Sequence, residues 1–337
     1  MSLQTEPDEL RTVRDLVRWG ASRFREAELH FGHGTDNALD EAYYLVLHAL
    51  HLPFDLPALY LESAVTARER DAVLKLLRAR VTTRKPAAYL LGEIQFAGHD
   101  FYLDERVLIP RSPIGELIAR RFEPWLASEP QRILDLCAGS GCIGIACALA
   151  FEQAEVDLAE LSSGALAVCR RNIARHRVAE RVRALQSDVY DGLGEARYDL
   201  IVANPPYVPT AEWKALHPEY RHEPRMALDA GADGMEVVAR ILGGAVQRLN
   251  PGGTLICEVG GSVAEFEARW PRLPVTWIEF ERGGDGVFLI GREALMGEPG
   301  LAECLRDIGP GERPAADGWA GAGQVCGRLA MDGNGEV

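Results

Sequence analysis

No apolar run in this chain approaches the ~18 residues that a membrane-spanning helix needs. Its opening residues, MSLQTEPDELRTVRDL, are too charged for a signal peptide. The seven cysteines (Cys137, Cys142, Cys147, Cys169, Cys257, Cys304 and Cys326) include no CxxC pair and no metal-ligand spacing. No metal site is therefore expected. Most of these cysteines sit in apolar stretches, where a free thiol behaves as a small hydrophobe, and a cytoplasmic, reducing setting is the expectation. Positive charge is scarce as well: 36 Lys and Arg against 50 Asp and Glu leave a net charge of −14. That argues against a broad nucleic-acid-binding surface, because phosphate contacts need clustered basic side chains. No stable nucleic-acid complex and no membrane association are expected, whereas a basic partner suits this balance. One local exception, the Arg-rich helix carrying Arg170, Arg171, Arg175, Arg177, Arg181 and Arg183, reads as a solvated face. No internal repeat is evident.

What is present divides the chain into unlike parts. Over the first ~90 residues, Leu10, Val13, Leu16, Val17 and Phe24 recur at helical spacing, and Leu39, Tyr43, Leu47 and Leu50 do so again. A third helix is expected to start at Thr66, whose spacing to Glu69 fits a capping box. Around 93–104 the period changes. Ile94 and Phe96, then Phe101, Tyr102 and Leu103, broken by Gly98-His99-Asp100, predict a β-hairpin. From 133 onward, strands are expected at 133–137, 155–161, 183–187, 198–203, 253–259, 275–280 and 286–290, with helical patterns between most of them. Such alternation implies βαβ units and a mainly parallel sheet covered on both faces. The last two strands, separated only by 281–285, should form an antiparallel hairpin. The fold class is α/β, with a small helical domain at 1–90, a hairpin linker at 91–110, the sheet domain at 111–295 and a poorly ordered tail at 296–337.

Two motifs carry chemistry. After the strand at 133–137 comes Asp135-Leu136-Cys137-Ala138-Gly139-Ser140-Gly141-Cys142-Ile143-Gly144. Glycines there let the backbone turn tightly and approach a ligand, and a helix beginning near Cys142 would aim its free N–H groups at it. The following helix lacks the Lys-Ser/Thr of a P-loop, which speaks against phosphate transfer. At the end of the next strand, Glu160 is placed to accept from both hydroxyls of a ribose, with Asp157 as its competitor further from the strand's carboxyl end. Asp188 ends the third strand, suited to an adenine amino group, with Val189 as an apolar wall. These acids line the edge where open α/β sheets bind ligands. The fourth strand delivers Asn204 to the same edge, opening the second motif, Asn204-Pro205-Pro206-Tyr207. Proline fixes φ and supplies no N–H, so two in succession end the ladder and stiffen the turn. The Asn204 oxygen and the Pro205 carbonyl can then accept from one planar NH2 group, with Tyr207 over its flat face.

Together these features resemble the Rossmann-like, seven-stranded class I S-adenosylmethionine-dependent methyltransferases. The resemblance implies that Asp135, Cys137, Ala138, Gly139, Ser140 and Gly141 face the methionine part of the donor, Glu160 its ribose, and Asp188 and Val189 its adenine, with Asn204 on the same edge. Asn-Pro-Pro-Tyr is the signature of members that methylate NH2 nitrogens, among them adenine and protein-glutamine methyltransferases. Residues 84–93 (RKPAAYLLGE), Phe96-Ala97-Gly98-His99-Asp100-Phe101 and 107–118 (VLIPRSPIGELI) are similar to the glutamine N5-methyltransferase family. The Arg-Ser-Pro-Ile run at 111–114 and the Asp-Leu-Cys turn are similar to the branch acting on the third protein of the large ribosomal subunit, a basic partner. The release-factor branch typically has Arg-Pro at the first site and Gly in place of Cys137. Glu160, where Asp is commoner, keeps the carboxylate. The resemblance spans about residues 8–295 and extends no function to the tail.

The activity so implied is methyl transfer to a glutamine side-chain amide. Alternatives are the release-factor branch, adenine methylation of nucleic acid, or a non-catalytic donor-binding assembly factor. Arg111, Ser112, Glu116, His222 and Glu223 are weaker candidates for gating or touching a substrate loop.

Overall fold

The computed structural model describes residues 9–281 and 283–297. The chain starts with three helices, α1 (Val13–Glu26), α2 (Ala38–Ala49) and α3 (Ala67–Thr83). Two of them open on reciprocal capping boxes, Thr12 with Asp15 and Thr66 with Glu69, each satisfying two N–H groups that a helix start leaves free. Leu16, Phe24, Leu45, Val46, Leu74 and Leu77 form their common core. Of the stripe expected on α2, Leu47 is buried and Tyr43 and Leu50 pack against the core, but Leu39 does not join it. Leu39 is 51% exposed, and the buried face is Ala38, Glu41, Ala42, Leu45, Val46 and Leu47. The reason is polar. Glu41 is buried because Arg80 of α3, also buried, donates to its carboxylate at 2.6 Å, and a search for apolar spacing passes over a paired acid.

A short helix α4 (Ala87–Leu91) leads into the hairpin β1 (Glu93–Phe96) and β2 (His99–Tyr102). The break is tighter than expected. Ala97 and Gly98, both at positive φ (47° and 81°), make the whole turn, while His99 and Asp100 pair with Phe96 and Gln95 inside the ladder. The hairpin and the following linker pack Ile94, Leu103, Val107 and Ile109 against Ala165 and Val168.

After α5 (Ile114–Ala119) the sheet begins: β3 (Arg132–Leu136), α6 (Cys142–Ala150), β4 (Glu155–Glu160), α7 (Ser163–His176), β5 (Val182–Gln186), β6 (Tyr198–Ala203), α8 (Thr210–Ala215), α9 (Glu236–Arg248), β7 (Leu249–Glu258), α10 (Val263–Arg269), β8 (Thr276–Trp277), β9 (Val287–Gly291) and α11 (Arg292–Met296). The strand order is β5-β4-β3-β6-β7-β9-β8. β3 to β7 run parallel, and β9 is antiparallel to both β7 and β8. Side chains alternate between two cores. Ile133, Val156 and Leu158 face α6 and α7, whereas Leu134, Leu136 and Ala159 face α9 and α10.

β7 starts four residues earlier than read from sequence, and β8 is only two residues long. The Arg-rich stretch is not one helix. α7 stops at His176, Arg177 caps it in a left-handed conformation, and Arg183 lies on β5 paired with Asp157. Arg171 stacks over Tyr102 and Arg175 meets Glu93, so this face is tied to the hairpin. No helix among the described residues is long and apolar enough to cross a membrane. The tail expected to be poorly ordered lies, from residue 298, outside the described residues.

Candidate active site

The order of strands reverses between β3 and β6, so the crevice at their carboxyl ends is where an open sheet of this kind receives ligands. On the β3 side the chain leaves Leu136 and turns at Cys137, held at φ 58°. A side chain in that left-handed conformation costs roughly 1–2 kcal/mol. The turn closes onto α6 through Gly144. A Cβ there would stand 2.1 Å from the Leu158 side chain and 2.9 Å from that of Asp135. Only glycine lets the helix start sit this close to the sheet. Its N–H donates to Asp135 Oδ2 at 2.8 Å, while Asp135 Oδ1 is buried without a hydrogen-bond partner. Burial pushes the Asp135 pKa up to about 7; the Gly144 bond opposes this and the neighbouring Glu160 adds to it.

Glu160 ends β4 and joins two loops. Its Oε2 accepts from Gly139 N at 2.9 Å and its Oε1 from Ser162 N at 2.8 Å, just before α7. Burial raises its pKa. Its competitor Asp157 is committed elsewhere, taking Arg183 at 2.9 and 3.1 Å and the Tyr198 hydroxyl at 2.9 Å. The Glu160 carbonyl accepts from Ser187 N, which leads to Asp188 and Val189. Both lie beyond the end of β5 at Gln186 rather than on it. The Asp188 carboxylate turns to Arg240 of α9 at 2.7 Å, and Val189 is buried at φ 53°.

On the β6 side, Leu136 pairs with Ala203, so Asn204 emerges level with Cys137. Pro205 is buried, and Asn204, Pro206 and Tyr207 are half-buried. Among the described residues, neither the Asn204 side chain nor the Pro205 carbonyl takes part in a hydrogen bond. The Tyr207 hydroxyl donates to Glu258 Oε1 at 3.1 Å, and Ser112 Oγ donates to the other oxygen of that carboxylate at 2.5 Å. The loop beyond is anchored by Glu223, which receives Arg111 at 2.6 and 2.9 Å, and by Glu219, which meets Arg84 at 2.6 Å. His222 reaches Glu105 at 3.1 Å, and Glu116 accepts from Glu281 N at 3.1 Å.

Comparison with known proteins fits this geometry. The methyltransferase small domain family matches residues 116–217, from α5 past the second motif. The ribosomal protein uL3 glutamine methyltransferase of Bordetella pertussis is 47% identical over 289 residues, covering 85% of this chain and 97% of that protein. Its counterpart from Neisseria meningitidis serogroup B is 46% identical over 293 residues, covering 86% and 96%. This chain belongs to the uL3 glutamine methyltransferase family.

Two residues in this member of the family escaped the sequence reading. Asn172 lies on the apolar face of α7, fully buried. Its Nδ2 donates to the carbonyls of Ser140 and Tyr102, both at 2.9 Å, and its Oδ1 accepts from Tyr102 N. It fastens the glycine turn to the hairpin. An asparagine three residues after Cys169 and one before Ile173 was the available signal, since a lone amide on an apolar face must find partners when buried. Glu258 closes the apolar run Leu255-Ile256-Cys257 on β7, and a carboxyl buried there demands the donors it receives.

Proposed function

We propose that this chain uses S-adenosylmethionine to methylate the side-chain amide nitrogen of a glutamine in ribosomal protein uL3, in the cytoplasm. The observation that carries the reading is a pair of acceptors that no described residue engages, the Asn204 side-chain oxygen and the Pro205 carbonyl, at the switch point beside the glycine turn. Membership of the uL3 family selects the substrate, and the net charge of −14 suits a basic protein.

The residues present fit the donor. Asp135 Oδ1 is a buried acceptor in want of a proton donor, which an ammonium group supplies. An added Cβ at Gly139 would meet nothing within 4 Å, so the turn is open on that side. Each Glu160 oxygen accepts one N–H, and a carboxylate has about four acceptor positions, which leaves capacity for ribose hydroxyls. Cys137, Ala138, Ser140 and Gly141 complete the turn, and Asp188 and Val189 supply a polar edge and an apolar wall for the adenine.

S-adenosylmethionine, when bound, supplies an electrophilic methyl on a sulfonium. The protein's task is the weak nucleophile, since an amide nitrogen's lone pair is delocalised into its carbonyl. Asn204 and Pro205 accept its two N–H hydrogens and fix the nitrogen, favouring a more pyramidal geometry as positive charge develops there. Pro206 stiffens the turn, and Tyr207 covers the amide plane and excludes water. Such positioning supplies several kcal/mol of barrier reduction. No strong base is required before transfer, because the nitrogen becomes acidic only afterwards.

The test is incubation of the purified chain with methyl-labelled donor and, separately, uL3, a release factor and an adenine-containing oligonucleotide. Label on a uL3 glutamine, located by mass spectrometry, is the expected result. Label on either of the others instead overturns the substrate assignment. Asn204→Ala should remove most turnover while donor affinity stays within about tenfold, roughly 1.4 kcal/mol. Near-normal turnover in that variant would sink the mechanism.

A further inference from the structure

The β6–β7 register pairs Ala203 with Cys257, so the next residues, Asn204 and Glu258, leave neighbouring strands side by side. Glu258 is 5% exposed, and its two carboxyl oxygens are divided between two partners from distant parts of the chain. One takes the Tyr207 hydroxyl at 3.1 Å, the other Ser112 Oγ at 2.5 Å. Ser112 Oγ in turn accepts from Ile114 N at the start of α5. Tyr207 is held at two further points. Its carbonyl accepts from Ser262 Oγ at 2.8 Å, and its ring lies so close to Gly260 that a Cβ there would stand 2.6 Å from the ring carbons. Gly260, at φ 49°, leaves the space the ring occupies.

We propose that Glu258 is a positioning residue for methyl transfer. It acts through Tyr207, anchoring the hydroxyl end of the ring over the target amide, and Ser112 holds the carboxylate that does so. The inference rests on the amide-methylation reading above. A buried carboxyl spanning two hydroxyls is an expensive way to fill a sheet edge, because an unpaired oxygen there bears its full desolvation penalty. A plain core position would be met by an apolar side chain. The Tyr207 ring is confined between Gly260 and the crevice, and the acceptor at its hydroxyl fixes the far end of the ring that this contact leaves free. The 111–114 run then joins the site through Ser112, although it lies at the start of α5 and not on the strand edge.

The experiment is a double-mutant cycle with steady-state kinetics on the full chain and uL3. Glu258→Gln keeps the volume and turns one oxygen into a donor, and Tyr207→Phe keeps the ring and removes the hydroxyl. Each is expected to lower kcat about tenfold or more, up to the ~100-fold that misplacing a reacting group costs. The KM for the donor should stay within about twofold. The double variant should be no slower than the slower single variant, because both break one link. Ser112→Ala should give a smaller loss of the same kind. Circular dichroism and donor titration establish that each variant is folded with its donor site intact. Should Glu258→Gln fail to fold, the Tyr207→Phe and Ser112→Ala pair supplies the same cycle. Unchanged kcat in Glu258→Gln, or losses that multiply in the double variant, overturns the proposal. A wild-type chain that methylates no glutamine defeats the function reading instead, so the two failures are distinguishable.

Discussion

Arg111 and Glu223 meet in a two-point ion pair, Nη1 to Oε1 at 2.6 Å and Nη2 to Oε2 at 2.9 Å, across 112 positions of chain. Ile109 N donates to the same carboxylate at 3.0 Å, and the buried ring of His33 lies 3.5 Å away. Linker, helical domain and the loop after the second motif thus converge on one buried acid. Burial alone would raise the Glu223 pKa, but the Arg111 guanidinium and the His33 ring together outweigh it and hold the group at about 2. An unfolded Glu titrates near ~4.3. The folded value is therefore the lower one, so the stabilisation is present above ~4.3 and is lost as pH falls towards 2.

Urea midpoints of the wild type should accordingly fall between pH 5 and pH 2.5, and Glu223→Gln should flatten that slope. At pH 7 the variant should lose about 3–5 kcal/mol, since it leaves Arg111 uncompensated. Parallel pH profiles for the two proteins would remove Glu223 as the source.

Asp135 is expected to behave in the opposite sense. Its pKa is pushed up to about 7, against ~3.9 unfolded, so ionisation disfavours the folded state. That penalty is absent below ~3.9 and grows as pH rises through 7, towards roughly 4 kcal/mol for a shift of this size. Asp135→Asn should melt higher than the wild type at pH 8 and bind the methyl donor more weakly. Thermal melts from pH 5 to pH 8.5, with a donor titration at pH 7.5, decide the matter. A variant less stable than the wild type at pH 8 would contradict it.

The sheet was legible because its strands alternate with helices at ordinary spacing, and Asn204 follows an apolar run that stops at two prolines. Glu160 stands out from Asp157 in sequence by its place nearer the carboxyl end of β4, whereas the bonds of Asp157 to Arg183 and Tyr198 are visible only in the folded chain. What stayed hidden is side-chain pairing across the chain. Nothing in the local pattern joins Glu258 to Ser112, or Arg111 to Glu223, because such pairs arise only when linker and sheet edge are folded together. Positive φ at Cys137 is equally silent in sequence, since the residue there is not glycine. The length of a short element is also hard to read: the strand expected over 275–280 pairs with β9 only at Thr276 and Trp277, and two residues leave no period.

The buried acid on α2, Glu41, leads to a prediction about the helical domain. Arg80 is 0% exposed, and each of its three guanidinium nitrogens has an acceptor. Its Nε donates to Glu41 at 2.6 Å, Nη1 to the Arg84 carbonyl and Nη2 to the His30 carbonyl, both at 3.0 Å. Thr35 Oγ1 donates to the second Glu41 oxygen at 3.1 Å. Arg80→Ala strands a buried carboxylate and two carbonyls, so it should cost about 3–5 kcal/mol. Replacing the pair together, as Glu41→Leu with Arg80→Met, removes both charges and keeps the volume, which is often close to neutral in a buried site. Recovery should still be partial, because the Arg84 and His30 carbonyls lose their donor in either case. Denaturant midpoints for the two singles and the double would separate these contributions. A double variant as unstable as the sum of its singles would mean that the bonds to the two carbonyls, and not the Glu41–Arg80 pair, hold these helices in place.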